Sequence, residues 1–370
     1  MSKAYVRIAI SNILNYRHFT KTLLLWYPRH KRHLPWRDTK DPYIIWLSEV
    51  ILQQTRVAQG LPYFVAFCEK YPTVHDLAAA PVEDVMRLWQ GLGYYSRARN
   101  LHQAAKDVSS RRHGRFPATY EGLLQLKGVG AYTAAAIASF AFGEKVAVVD
   151  GNVFRVLARY FGVEADIGTH KGKKTFQELA DKVLSKKSPG LFNQAIMEFG
   201  ALQCTPKKPD CGTCPLQPGC LAYRHQMIDL LPVKAKKVKV TQRAFLYFHI
   251  TCGTDMVVKE RGANDIWQGL YDFPLEEAEF LENMVLEDSP IFNELRPLNP
   301  VMEFDTEKRF KHVLTHQTIF SNFIKLDIPY IYRPDLETWM KRRGFMSVTE
   351  NTLEKLGKPN LIVKYLNNQK

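Results

Sequence analysis

The sequence predicts two folds in series, an all-α domain followed by a smaller α+β domain, and three observations predict them. Apolar spacing is helical from about residue 17 to 228 and changes to short β-rich runs after residue 243. Between them lies Leu231-Pro232-Val233-Lys234-Ala235-Lys236-Lys237-Val238-Lys239-Val240, which has a proline, four lysines and no helical stripe. Charge divides at the same place: residues 1–242 carry 35 Lys+Arg against 18 Asp+Glu, a net of +17, and residues 243–370 carry 16 against 19, a net of −3. The expected limits are therefore 1–228 for the helical domain, 229–242 for a basic linker and 243–370 for the α+β domain. With 46% hydrophobic and 24% charged residues, the chain is neither a fibre nor a disordered tail. An excess of positive charge confined to one section is the footprint of a phosphate backbone, with a membrane surface or an acidic protein as competing partners.

From the N-terminus, the patch Val6 to Ile13 is broken by Arg7 and Asn12 and lacks a small-residue cleavage site, so no signal peptide is expected. No uncharged apolar run reaches the roughly 18 residues a spanning helix needs, and a soluble, cytoplasmic protein without membrane association is expected. Amphipathic helices are predicted over Tyr63–Tyr71, Val82–Gln90, Ala98–Ser109, Ala131–Phe142 and Val153–Phe161. Glu49 is the only acid in Tyr43-Ile44-Ile45-Trp46-Leu47-Ser48-Glu49-Val50-Ile51-Leu52. Desolvation there favours the protonated carboxyl, as a general acid requires, unless Glu49 sits on the solvent face of the helix.

The turn Leu126-Lys127-Gly128-Val129-Gly130-Ala131 joins the helical stretch Tyr120–Leu126 to the Ala-rich one after it. Its glycines permit a tight turn and close backbone approach, and the first-turn amides of the second helix form an anion site. Such a helix-hairpin-helix binds DNA phosphate through Lys127, Gly128 and Gly130 without reading sequence, although an ordinary αα corner has the same pattern. Asp150 follows the apolar run Val146–Val149 where the next helix begins. It is a natural N-cap, and a carboxylate there is placed to stay ionised and to stabilise a cation. One protonated and one ionised carboxyl are what cleavage of a glycosidic bond requires; on DNA the leaving group would be a base.

The spacing Cys204-x6-Cys211-x2-Cys214-x5-Cys220 puts four thiols in one proline-stiffened loop. Only one pair is close and the other gaps are unequal, which suits a cubane iron–sulfur cluster better than the paired cysteines of structural zinc, the competing reading. Lys207 and Lys208 then project from a rigid hook toward phosphate. Cys68 and Cys252 read as ordinary buried cysteines.

Taken together, Leu34-Pro35-Trp36-Arg37, Trp46 through Thr55, Gly91-Leu92-Gly93-Tyr94-Tyr95-Ser96-Arg97-Ala98-Arg99-Asn100, the hairpin, Val149-Asp150-Gly151-Asn152-Val153 and the four cysteines resemble the adenine DNA glycosylase (MutY) family over nearly all of residues 17–225. The resemblance implies a helix-hairpin-helix glycosylase fold with a six-helix barrel and a structural 4Fe–4S module at 204–220, acting on double-stranded DNA; a monomer is expected because a domain pair that clamps duplex DNA can work as one. It implies removal of adenine mispaired with 8-oxoguanine or guanine. By position, Glu49 matches the acid that protonates N7 of a flipped adenine, Asp150 the carboxylate that stabilises the sugar cation, and Tyr132 and Asn152 the residues supporting them. Arg37 and Gln194 match the adenine pocket, while Gln54 and Tyr94 match residues that enter the base stack. The related endonuclease III branch cuts the strand with a lysine where Tyr132 stands; a tyrosine offers no amine for a Schiff base, so a monofunctional glycosylase is expected.

The C-terminal section resembles the family's Nudix-like 8-oxoguanine-sensing domain through Trp267-Gln268-Gly269-Leu270-Tyr271-Asp272-Phe273-Pro274 and Phe310 through His316. The family's Phe-Ser-His triplet stands here as Leu314-Thr315-His316, so Thr315 and His316 are the expected recognition residues and Leu314 replaces an aromatic wedge. The acidic Nudix catalytic helix is absent, and pyrophosphohydrolysis is not expected.

Overall fold

A computed structural model describes residues 3–235, 240–263, 265–278, 280, 285–304, 309–314 and 316–368, with backbone alone for residues 3–14. Helices continue to residue 224, four short of the expected limit, and strands begin at Thr241, two residues before the expected start. The chain forms two compact units. One takes Met1–Val57, Tyr71–His75 and Gln103–Lys236; the other takes Ala58–Lys70, Asp76–His102 and Lys237–Lys370. The sequence reading divides the chain once, whereas here the helical segments 58–70 and 76–102 group with the sheet. Arg99 Nη1 donates to Gln268 O at 2.6 Å, Lys358 N to Gln90 Oε1 at 3.0 Å, and Tyr95 Oη to Lys358 O at 3.3 Å. Periodicity reports which face of a helix is apolar but not which element covers it.

In the first unit the helices are α1 (Lys3–His30), α2 (Pro42–Ile51), α7 (Tyr120–Leu124), α8 (Ala131–Ala141), α9 (Gly151–Phe161), α10 (His170–Val183) and α11 (Pro189–Leu202). α1 begins earlier than the periodicity showed. Local chemistry sets the starts: Asp41 caps α2 with Pro42 at its first position, and Thr119, Asp150 and Thr169 cap α7, α9 and α10 through side-chain oxygens. Gly162, at φ +63, ends α9 in the left-handed conformation. Apolar stripes at helical spacing meet in one core: Phe19, Leu23 and Tyr27 of α1, Val153, Val156 and Tyr160 of α9, Phe176 and Ala180 of α10, and Phe192, Ala195 and Phe199 of α11. Truncating one of these phenylalanines to alanine costs ~3–5 kcal/mol. α8 lies with seven consecutive buried residues, Thr133 to Ser139, which fixes its N-terminus firmly.

In the second unit, α3 (Val57–Lys70), α5 (Val82–Leu88) and the start of α6 (Ser96–Arg111) pack around buried Trp89, whose ring meets Phe67 edge-on at 5.8 Å. β1 (Thr241–Cys252) and β7 (Gln317–Asp327) run parallel at the centre of a sheet in which β2 (Asp255–Glu260) and then β3 (Tyr271–Asp272) lie beyond β1, and β5 (Val301–Phe304) lies beyond β7. β4 (Leu275–Ala278) pairs with β1, β6 (Phe310–Val313) with β7 and β8 (Met346–Thr349) with β2. β1 is buried on both faces. Leu246, Phe248 and Ile250 face Ile291, Leu336, Trp339 and Met340, while His249 stacks on Phe273 and Tyr247 on Phe323, which in turn stacks on Tyr365. Cys252 is buried as expected; Cys68 is only half-buried. Among the described residues, no helix is long and apolar enough to cross a membrane.

Candidate active site and cysteine loop

Two adjoining cavities in the first unit share Glu49, Leu52, Tyr132 and Asp150 in their walls. The smaller, of about 180 Å³, is closed by Arg37, Gln194 and Glu198; the larger, of about 600 Å³, is bounded by Gln53, Gln54, Gly128 and Gly130. The predicted carboxylate pair thus stands in the wall shared by the pocket of Arg37 and Glu198 and the cavity at the hairpin. α2 carries Glu49 on its buried side, 7% exposed, and not on a solvent face. Burial pushes Glu49 from its ordinary 4.5 up to about 7, with the Asp150 carboxylate adding to the rise, while the Tyr132 hydroxyl that donates to it and Arg37 pull the other way. Tyr132 is raised well above its ordinary value by burial and by both carboxylates, so it stays a neutral donor.

Asp150 caps α9 as predicted: its Oδ1 accepts from Val153 N and its Oδ2 from Asn152 Nδ2, both at 2.8 Å. The sequence reading weighed only the helix N-terminus, which favours the anion. Burial acts against it and raises the Asp150 pKa, opposed by those hydrogen bonds and by Arg155. The two carboxyls therefore differ chiefly in their donors: Asp150 has an amide on each oxygen and a helix N-terminus behind it, whereas Glu49 has the tyrosine.

Glu198 was missed by the sequence reading. Its side chain is completely buried and accepts from Arg32 N at 2.9 Å, Arg32 Nε at 2.8 Å, Arg32 Nη2 at 2.6 Å and Arg37 Nη2 at 2.6 Å. Burial alone would raise its pKa, but the two guanidiniums hold it down at about 2. Arg37 is thereby fixed in the pocket wall, also donating to Arg32 O at 3.2 Å, and Gln194 is held by Tyr27 Oη at 2.8 Å. The signal was available: Glu198 is the lone acid in apolar α11, the pattern that singled out Glu49.

At the hairpin, Gly128 has φ +76, a conformation that side chains disfavour. Gly130 is the N-cap of α8, where no side chain caps the helix, and a Cβ there would meet nothing within 4 Å. The first amides of α8 thus open onto free space beside exposed Lys127, as an anion site requires. Gln54 at φ +54, Tyr94 at φ +49 and Lys208 at φ +47 are non-glycine residues in the left-handed region. All three are predicted DNA-contacting residues, and strain of this kind collects at functional sites. Tyr94 lies in the second unit, 39% exposed, with the Arg97 guanidinium 5.6 Å from its ring centre. His316 is exposed beside β7, its carbonyl accepting from Thr241 N at 3.0 Å; Thr315 lies outside the described residues.

The four loop cysteines are half-buried. Burial pushes Cys214 up to about 11 and raises Cys211 and Cys220, and in each case neighbouring cysteines of the loop add to the rise. Among the described residues, no three His, Cys, Asp or Glu side chains are close enough to share one metal ion. Four thiols near enough to raise one another are a donor set that could hold an iron–sulfur cluster. Buried Arg159 supplies a positive counter-charge, with Nη1 3.5 Å from Cys204 Sγ, and fastens the loop through Thr205 O at 2.8 Å and Pro206 O at 3.2 Å. One turn earlier, Arg155 donates to Cys204 O at 2.7 Å and to Asn152 Oδ1 at 2.8 Å. The cysteine loop and the Asp150 site therefore hang on one face of α9. Lys207 and Lys208 are exposed at the tip.

Comparison with known proteins accords with this geometry. Residues 47–183 match the HhH-GPD superfamily of base excision DNA repair proteins, and residues 204–220 match the iron-sulfur binding domain of endonuclease III. The adenine DNA glycosylase of Buchnera aphidicola subsp. Baizongia pistaciae is 32% identical over 311 residues, 82% of this chain and 84% of that protein. The rat adenine DNA glycosylase is 45% identical over 223 residues, 58% of this chain, and the match spans only 43% of that longer protein. Among solved structures, a thermostable thymine-DNA glycosylase superposes with a TM-score of 0.52 at 32% identity, covering 57% of this chain and 97% of that one. The chain belongs to the adenine DNA glycosylase family, within the HhH-GPD superfamily of base excision DNA repair proteins, and carries that superfamily's iron–sulfur module.

Proposed function

We propose that this protein hydrolyses the N-glycosidic bond of adenine mispaired with 8-oxoguanine or guanine in duplex DNA, without cutting the strand. The observation that carries the reading is the pair of carboxyls in one pocket wall, with Glu49 raised to about 7 and Asp150 held by Val153 N and Asn152. The adenine, extruded because its scissile bond is buried in the stack, enters the pocket walled by Arg37, Gln194 and Glu198. The protonated Glu49 gives its proton to N7, and the base leaves with the bonding electron pair. Asp150 stabilises the cation left on the sugar, with Asn152 and Tyr132 holding the pair in place. Glu49, now a carboxylate, orients the water that adds to the sugar carbon and takes the proton it releases. Tyr132 has no amine, so the reaction stops at the abasic site.

Phosphate contacts come from the α8 amides with Lys127, Gly128 and Gly130, and from Lys207 and Lys208. Gln54 and Tyr94 enter the base stack, and Thr315 and His316 read 8-oxoguanine from the C-terminal domain. Cys204, Cys211, Cys214 and Cys220 would hold a 4Fe–4S cluster, which supplies a rigid, charged core to the loop and takes no part in bond cleavage. The functional divisions proposed are 1–228, 229–242 and 243–370, in a monomer working on cytoplasmic DNA. Single-turnover release of adenine tests the assignment: Glu49→Gln and Asp150→Asn should each be nearly inactive, and parental rates in either would refute it.

A further inference from the structure

Gln54 stands exposed at the tip of the loop between α2 and α3, at φ +54. A glutamine holds that backbone only if its surroundings over-determine it. Part of the support lies within the loop: Leu52 N donates to Ser48 O at 2.9 Å, Thr55 N to Leu52 O at 3.1 Å, and Thr55 Oγ1 to Gln53 O at 3.2 Å. Another part comes from outside it. Gln53 Nε2 donates to Oγ1 of Thr133 at 3.1 Å. Thr133 is buried, 2% exposed, in the first turn of α8, next to Tyr132 and three residues after Gly130.

From this contact we infer that Gln53 is a positioning residue for base extrusion, pinning the Gln54 wedge through Thr133 to the helix that holds both the phosphate amides and Tyr132. A side chain pushed into a base stack is pushed back, and a loop held only by its own turns would yield. The Gln53–Thr133 bond passes that load to α8, which is rigid because its next turns are buried. It also sets the wedge at a fixed distance from the phosphate grip and from the pocket of Glu49. The inference rests on the proposed entry of Gln54 into the stack.

The test uses the full-length protein with its cluster and a duplex with 2-aminopurine beside an adenine opposite 8-oxoguanine, whose fluorescence reports unstacking. Adenine release is followed on that duplex and on one in which the adenine faces an abasic gap, where no pairing resists extrusion. Gln53→Ala and Thr133→Val should each lower the unstacked fraction about fivefold, as loss of one hydrogen bond predicts, and the double variant should lose no more than either. Thr133→Ser, which keeps the hydroxyl, should restore the signal, and release from the gapped duplex should fall less than release from the A:8-oxoguanine duplex. Parental unstacking in Thr133→Val, or equal losses on both duplexes, would overturn the inference. Gln54→Ala separates it from its premise. Lost unstacking there, with Gln53→Ala unaffected, overturns the inference alone; parental unstacking in Gln54→Ala overturns the wedge reading and the inference with it.

Discussion

Replacing Glu49 by glutamine should make the protein more stable while abolishing its activity. The folded protein holds the Glu49 pKa at about 7 against an ordinary 4.5, chiefly by burial. For an acid whose pKa is raised on folding, stability is fully present below the unfolded value, falls as pH rises from 4.5 to about 7, and is flat beyond. Each pH unit in that window costs ~1.4 kcal/mol, so at pH 8 the native state carries a penalty of ~3 kcal/mol that a neutral isostere avoids. Glutamine keeps an oxygen to accept from Tyr132, so no hydrogen bond need be lost. Urea unfolding of the two proteins, compared at the same pH so that all other groups cancel, should show Glu49→Gln more stable by ~3 kcal/mol at pH 8 and by under ~1 kcal/mol at pH 5. A variant no more stable than the parent at pH 8, or one whose advantage is equal at both pH values, would refute the reasoning. The cost of keeping a carboxyl protonated in that pocket is then what the chemistry uses.

Glu198 is expected to behave in the opposite sense. Held at about 2 by Arg37 and Arg32, it contributes stability that is present above its ordinary 4.5 and lost as pH falls through 2, ~3 kcal/mol at most because Arg32 is partly screened by solvent. Glu198→Ala should cost ~3–5 kcal/mol in urea at pH 7, since it leaves Arg37 unpaired in the pocket wall. Tyr132→Lys places an amine between the two carboxyls. Borohydride should trap an enzyme–DNA adduct with this variant and none with the parent, and a stoichiometric parental adduct would exclude the monofunctional reading. Arg159→Gln removes the positive group beside Cys204 and the ties to Thr205 O and Pro206 O. The purified variant should lose brown absorbance; full cluster content would show that Arg159 does not organise the loop.

Much of this was legible before any coordinates. Helices expected at 98–109, 131–142 and 153–161 appear as Ser96–Arg111, Ala131–Ala141 and Gly151–Phe161, because their stripes, caps and glycines are local signals. Glu49 was legible from its neighbours for the same reason: an acid alone in an apolar helix has little choice but burial. What escaped depends on residues far apart in the chain. Glu198 takes its meaning from Arg32 and Arg37, more than 160 positions away, although its own setting in α11 gave the clue already used for Glu49. Asp150 was recognised as a cap, but how deeply α8 and α9 bury it is a tertiary fact, and burial turned out to be the largest influence on its charge. Arg155 and Arg159, on amphipathic α9, lie inward, and each donates to the cysteine loop, Arg155 to Cys204 O and Arg159 to Thr205 O, contacts that no local pattern announces. The grouping of 58–70 and 76–102 with the sheet was equally invisible, since nothing in a helix's own periodicity names its partner.

The central claim is that the Glu49–Asp150 pocket removes adenine only where it is mispaired. Single-turnover release of adenine from otherwise identical duplexes carrying A:8-oxoguanine, A:G and A:T measures it most directly. The account predicts release from the first two and none from the third. Equal release from all three, or none from either mispair, would contradict it.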